Sequence, residues 1–179
     1  MGKALRFFGL RLEHVFRCDS MSIISTLSFL VDVSGEHEQA THTVVPKIDG
    51  TLLTELIASY EDEQRFEPVG GYGGLIVEYF NYGPLDLYFM GQFEQYKKGN
   101  YWADLNGIYV LGCGDCGDVG CWPLFCRVRL DGDSVVWENF EQPHRLKRDY
   151  SNFGPFTFDF QQYHDTITDL QTQCKIQMR

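Results

Sequence analysis

The chain has 179 residues, a length most simply met by one domain with its own core, and its 44% hydrophobic and 15% aromatic content marks a folded chain. A formal charge of -10 excludes the basic footprint of a nucleic-acid binder and opposes binding to an anionic membrane, while suiting solubility or a basic protein partner. The apolar-leaning run 23–33 is broken by Ser25, Thr26 and Ser28, and the first 20 residues carry Arg6, Arg11, Glu13 and Arg17, so neither a membrane span nor a signal peptide is expected. In the cytoplasmic setting this implies, the six cysteines are expected as thiols or ligands rather than disulfides.

Residues 1–20 read as an accessory extension ahead of the first clear strand. Residues 23–33 alternate, with Ile23, Leu27, Phe29, Val31 and Val33 on one face, as in a half-buried strand. Ser34-Gly35-Glu36 is a turn, and residues 41–45 form a short return ended by Pro46, which has no N–H for a ladder. His37 and His42 flank this exposed connection, and no metal-ligand spacing joins them. Thr51 is placed as the N-cap of an early helix over 51–60, with Leu52, Leu53, Leu56, Ile57 and Tyr60 at helical spacing. Glu55 and Glu61 fall on its wet side, and residues 61–65 read as charged and solvated. Gly70, Gly71, Gly73 and Gly74 surround Tyr72 in a loop that lacks the Lys-Ser/Thr of a phosphate-binding loop, so turns at positive φ are the simpler reading. Residues 75–80 read as a strand, 85–90 as a strand or one helical turn, and 92–100 as a polar loop. Aromatic residues crowd positions 72–102, and any that face solvent would form a protein-binding patch.

The segment 109–129, YVLGCGDCGDVGCWPLFCRVR, holds four of the six cysteines, four glycines and a Trp-Pro pair between two apolar runs. Cys113 and Cys116 form a CxxC turn, the usual half of a zinc site, and Cys121 follows too soon for the usual second half. Cys113, Cys116 and Cys121 are therefore candidate zinc ligands, with His144 a conceivable fourth, while Cys126 alternates with Leu124 and Val128 toward the core. A redox CxxC needs a helix N-terminus to lower a thiol pKa; here the motif lies between strands, and Asp115 and Asp118 are expected to raise it. Cys116 or Cys121 with His144 as base would make a nucleophile, and packed structural thiols beneath Trp122 are the plainest reading. Residues 124–130 and 135–140 flank Asp131-Gly132-Asp133 as a β-hairpin. Its exit, WENFEQPHR, offers Trp137, His144 and Arg145, with Trp122, as binding candidates, Arg145 for a carboxylate or phosphate and His144 for moving protons; alternatively Arg145 forms an ion pair near Glu138 and Glu141 and His144 bonds a backbone carbonyl. After a short strand at 156–158, Asp159 caps a terminal helix, with Gln162 at the capping-box position and Phe160, Tyr163, Ile167, Leu170 and Cys174 as its apolar stripe.

The segments LGCGDCGDVGCWPL, VVWENFEQPHR and YSNFGPFTF, followed by Tyr163, resemble a group of bacterial proteins of unknown function. The resemblance spans about a third of the chain and implies no activity, ligand or catalytic residue; the two-residue gap between Cys113 and Cys116 is wider than that group's turn. The element order indicates an α+β fold, a largely antiparallel sheet with one early and one C-terminal helix, in one domain over 1–179. Three functions follow. The first is a cytoplasmic binding protein with a site at the cysteine-rich turn, taking an unknown protein or small molecule, with no nucleic acid, membrane or resident cofactor. The second is a thiol- or zinc-dependent enzyme using Cys116 or Cys121 with His144. The third is an acidic antagonist of a basic partner. Oligomeric state is open.

Overall fold

A computed structural model describes residues 23–35, 41–79, 84–91 and 107–177. In chain order they form β1 (Ile24–Ser25), β2 (Leu27–Ser34), β3 (Thr41–Ile48), β4 (Thr51–Leu52), α1 (Leu53–Glu63), β5 (Tyr72–Gly73), β6 (Leu75–Ile76), α2 (Leu85–Phe89), β7 (Gly107–Cys113), β8 (Leu124–Asp131), β9 (Ser134–Glu141), β10 (Phe156–Asp159) and α3 (Phe160–Gln177). The larger sheet runs β1-β10-β9-β8-β7-β5 and is antiparallel except for the β1–β10 pair. The smaller sheet centres on β3, which pairs with β2 on one side and with β4 and β6 on the other. The fold is α+β, largely antiparallel, with an early and a C-terminal helix. No helix of the described residues is long and apolar enough to cross a membrane.

The hairpin of β8 and β9 is the spine of the larger sheet. Its turn at Gly132-Asp133 matches the sequence pattern, but its alternation does not hold throughout: the register shifts between Phe125 and Arg127, Phe125 is buried with Leu124 and Cys126, and Leu130 is exposed. Trp137, on β9, is fully buried and meets Phe158 edge-on at 5.4 Å. Its indole N–H donates to Tyr163 Oη at 2.9 Å, and the Tyr163 hydroxyl donates in turn to the Phe89 carbonyl at 2.6 Å. This relay gives each buried polar group a partner and pins α3 and α2 over the sheet. Tyr163, Ile167, Leu170 and Cys174 form the buried stripe of α3, and Asp159 Oδ1 accepts the Gln162 N–H at 2.9 Å as its cap.

Several elements depart from the sequence reading. The strand expected over 23–33 is two strands in two sheets. The break is Thr26, which exchanges bonds with Asp49: its N–H donates to Asp49 Oδ1 at 2.7 Å, and its carbonyl accepts the Asp49 N–H at 2.9 Å. β3 runs through Pro46 instead of ending there. Pro46 faces Phe29 on β2, and on its other side it stands between Val44, paired with β6, and Lys47, paired with β4. No strand of the described residues adjoins it there, so the missing N–H leaves no ladder bond unmade among them. Thr51 belongs to β4, and α1 starts after Leu52 with no side-chain cap. The strand expected over 75–80 stops at Ile76 and turns into a 3-10 segment, Val77–Tyr79. That turn brings Glu78 to His42, whose N–H donates to Glu78 Oε2 at 2.9 Å and whose ring bonds Oε1. His42, expected beside an exposed loop, is thus buried. Residues 85–90 take the helical alternative. Residues 1–20 and 92–100, with His37 and Trp102, lie outside the described residues.

Candidate functional site

The cysteine-rich segment folds as a closed loop between β7 and β8. The Cys113 N–H and the Cys121 N–H both donate to the Asp118 carbonyl, at 3.2 and 3.3 Å, while Asp118 Oδ1 accepts from the Gly120 N–H at 2.7 Å. Gly117 closes the CxxC turn by donating to the Cys113 carbonyl at 2.8 Å. It does so at φ +71°, and a Cβ there would meet Ile76 Cδ1 at 2.2 Å, so the turn requires glycine. The sulfurs of Cys113, Cys116 and Cys121 lie within 4.8 Å of one another and could hold a metal ion. All three are free thiols, Cys113 buried and the other two exposed. Backbone N–H groups of Cys116 and Asp115 reach the Cys113 sulfur and hold its pKa below the usual thiol range, against the rise expected from the neighbouring aspartates. Cys121 is pushed up to about 11 because Cys113 and Cys116 accept its proton and would repel its charge. Cys126 is buried in β8, as its alternation indicated.

The pairing that nucleophilic catalysis needs is not formed. His144 Nε2 bonds the Gly120 carbonyl at 2.8 Å and is joined to none of the three thiols. Trp137, expected beside the site, is in the core with its indole N–H already spent on Tyr163. Trp122, His144 and Arg145 are brought together. The Arg145 guanidinium lies 4.6 Å over the Trp122 ring and donates to the His144 carbonyl at 2.9 Å rather than pairing with Glu138 or Glu141. Glu138 is taken by Arg129 instead.

Behind Trp122 stands a residue that sequence reasoning placed in water. Glu61 is fully buried, and it is the hub of the loops around it. Its Oε1 accepts from Tyr150 Oη at 2.6 Å, Tyr72 Oη at 2.8 Å and Arg148 at 2.9 Å, and its Oε2 from the Gly70 N–H at 2.7 Å. Arg148 also donates to the Pro68 carbonyl at 2.6 Å and lies over the rings of Phe66 and Trp122. The Trp122 indole completes the circuit by donating to the Gly70 carbonyl at 2.8 Å. Burial and the neighbouring Glu61 push Tyr150 up to about 12 and Tyr72 higher still, so both phenols stay protonated as donors. The only sequence signal for Glu61 was the break it makes in an otherwise apolar helical stripe beside Ile57 and Tyr60.

No protein family, curated protein or solved structure matches the chain. Its chemistry is therefore read from its own surface. Arg65, Phe66, Glu67, His144, Arg145, Leu146, Lys147 and Arg148 line a cavity of about 560 Å³. Arg65, Arg145 and Lys147, with Arg148 already paired to Glu61, line this concavity against one carboxylate, Glu67, on a chain of net charge -10. Charges of one sign lining a concave wall focus field onto a ligand of the other sign. The large hydrophobic residues exposed among the described ones are aliphatic.

Proposed function

We propose that the protein is a binding protein whose cavity beside the cysteine-rich turn takes a small ligand bearing a carboxylate or phosphate group. The observation that carries this reading is Arg145. Its guanidinium carbon lies 4.6 Å from the centre of the Trp122 ring, at the surface, with no carboxylate partner among the described residues. Apart from the Nη1 bond to the His144 carbonyl, the donors of this guanidinium remain available to the oxygens of an anion. Arg148 supports it from a nearly buried position, and Glu61 fixes that second guanidinium while neutralising it. Two guanidinium groups over one indole repel each other, and an anion on Arg145 relieves that repulsion. The volume lies within the range of small-molecule sites, and Phe66 and Leu146 offer apolar walls for the rest of the ligand.

The test is calorimetric titration and thermal melting with inorganic phosphate, citrate and a nucleoside diphosphate. At least one should bind, raise the melting temperature and weaken with added salt. Arg145→Ala should lower that affinity about tenfold or more, the loss expected for one charge-assisted pair. Failure of all three anions to bind, or equal binding by Arg145→Ala, overturns the proposal.

A further inference from the structure

We propose that Cys113, Cys116 and Cys121 hold one zinc ion through their sulfurs, leaving its fourth position open to water or to a donor atom carried by a ligand. Four-coordinate zinc with bonds of about 2.3 Å sets its sulfur ligands about 3.8 Å apart. The three sulfurs, all within 4.8 Å of one another, need little movement to meet that spacing. The turn that carries two of them is built by backbone alone. Gly117 takes positive φ directly after Cys116 and returns its N–H to the Cys113 carbonyl, so both CxxC sulfurs point to one side of the turn. N–H donors from Asp115 and Cys116 at the Cys113 sulfur form the outer shell that a metal-bound thiolate uses to spread its charge. Asp118 then fixes Cys121 from the far side of the loop, through its carbonyl and the adjoining Gly120 bond.

The choice of metal follows from the donor set. Soft sulfur ligands favour zinc, copper(I) or iron–sulfur clusters. A cluster takes four cysteines, and the further ones among the described residues, Cys126 and Cys174, are buried. Zinc accepts three protein donors with solvent in the fourth place. Cys116 and Cys121 are exposed, so an ion can enter from solvent. This site is separate from the anion cavity, although the two meet: Trp122 follows Cys121 in the chain, and His144 bonds the Gly120 carbonyl.

The full chain, purified under reducing conditions without added metal or chelator, should carry about one zinc per molecule by elemental analysis. After stripping, added cobalt(II) should give a sulfur-to-metal charge-transfer band and the visible d–d bands of a tetrahedral site. Double substitution of the exposed pair, Cys116→Ser with Cys121→Ser, should abolish both signals while circular dichroism stays that of the folded chain. Arg145→Ala should load metal normally, which separates this inference from the anion reading. Reduced wild type that takes up neither zinc nor cobalt, a double variant that loads as well as wild type, or a disulfide among the three sulfurs that survives a thiol reductant would each overturn it.

Discussion

Glu61 shows how one side chain can organise several loops. A carboxylate taken fully out of water must recover its lost solvation from donors, and Glu61 does so with two phenols, a guanidinium and a backbone N–H. Those donors come from segments as far as 89 positions away, so the same bonds that satisfy the charge fasten the 148–150 and 70–72 segments to α1. Glu61→Gln keeps the shape and removes the charge, leaving Arg148 buried and unpaired. It should destabilise the fold by about 3–5 kcal/mol in urea unfolding. Arg148 should also lose its fixed place over Trp122, so any anion affinity should fall in the same variant. Read along the chain, Glu61 opens a run of charged residues and looks like the wet end of a helix. Nothing local reports that Arg148 and Tyr150 close over it.

At the scale of elements, α3 is joined to β2 by a side chain whose role the sequence pattern misassigned. Gln162 sits at the capping-box position, yet its amide turns to Leu27. Its Nε2 donates to the Leu27 carbonyl at 2.6 Å, and its Oε1 accepts the Leu27 N–H at 3.3 Å. The amide thus completes the first residue of β2 as a neighbouring strand would. Gln162→Ala strands the Leu27 N–H and leaves its carbonyl only the 3.4 Å bond from the Thr166 hydroxyl; it should cost about 1–3 kcal/mol, with faster hydrogen exchange at the Leu27 amide as its specific sign. The hairpin of β8 and β9 was readable because two apolar runs flank one turn signal. β3 was not, since the harmlessness of Pro46 depends on where β4 and β6 stop.

The whole molecule carries a charge of -10, and its acid behaviour follows from a few carboxylates. Asp49 is held below its ordinary 3.8 first by the Thr26 N–H, and Asp149 by the Ser151 N–H. Burial pushes Glu78 up, but the bonds from the His42 ring and N–H outweigh it and bring its pKa below the ordinary 4.5. Groups whose pKa is lower folded than unfolded bind fewer protons in the folded state. Their stabilisation is complete above pH 4.5 and is lost as pH falls through the unfolded values of 4.5 and 3.8 toward the lower folded ones. Glu141, raised by burial, acts with the opposite sign but is a single group. Urea midpoints should therefore fall between neutral pH and about pH 3, and Glu78→Gln should be less stable at neutral pH with a shallower acid slope. Equal slopes in the two proteins would remove Glu78 from this account.

The sequence by itself determined the fold class, the β8–β9 hairpin, the stripe of α3, the burial of Cys126 and the candidacy of Cys113, Cys116 and Cys121. Each of these is a local matter: a period of two or of 3.6, a turn residue, a short spacing. Only the tertiary structure decided that Trp137 is core, that His144 bonds a carbonyl instead of a thiol, that Glu61 is buried, and that Arg145 stands over Trp122 beside a basic cavity. These depend on partners far apart in the chain, and a side chain's electrostatic role is set by what surrounds it in space.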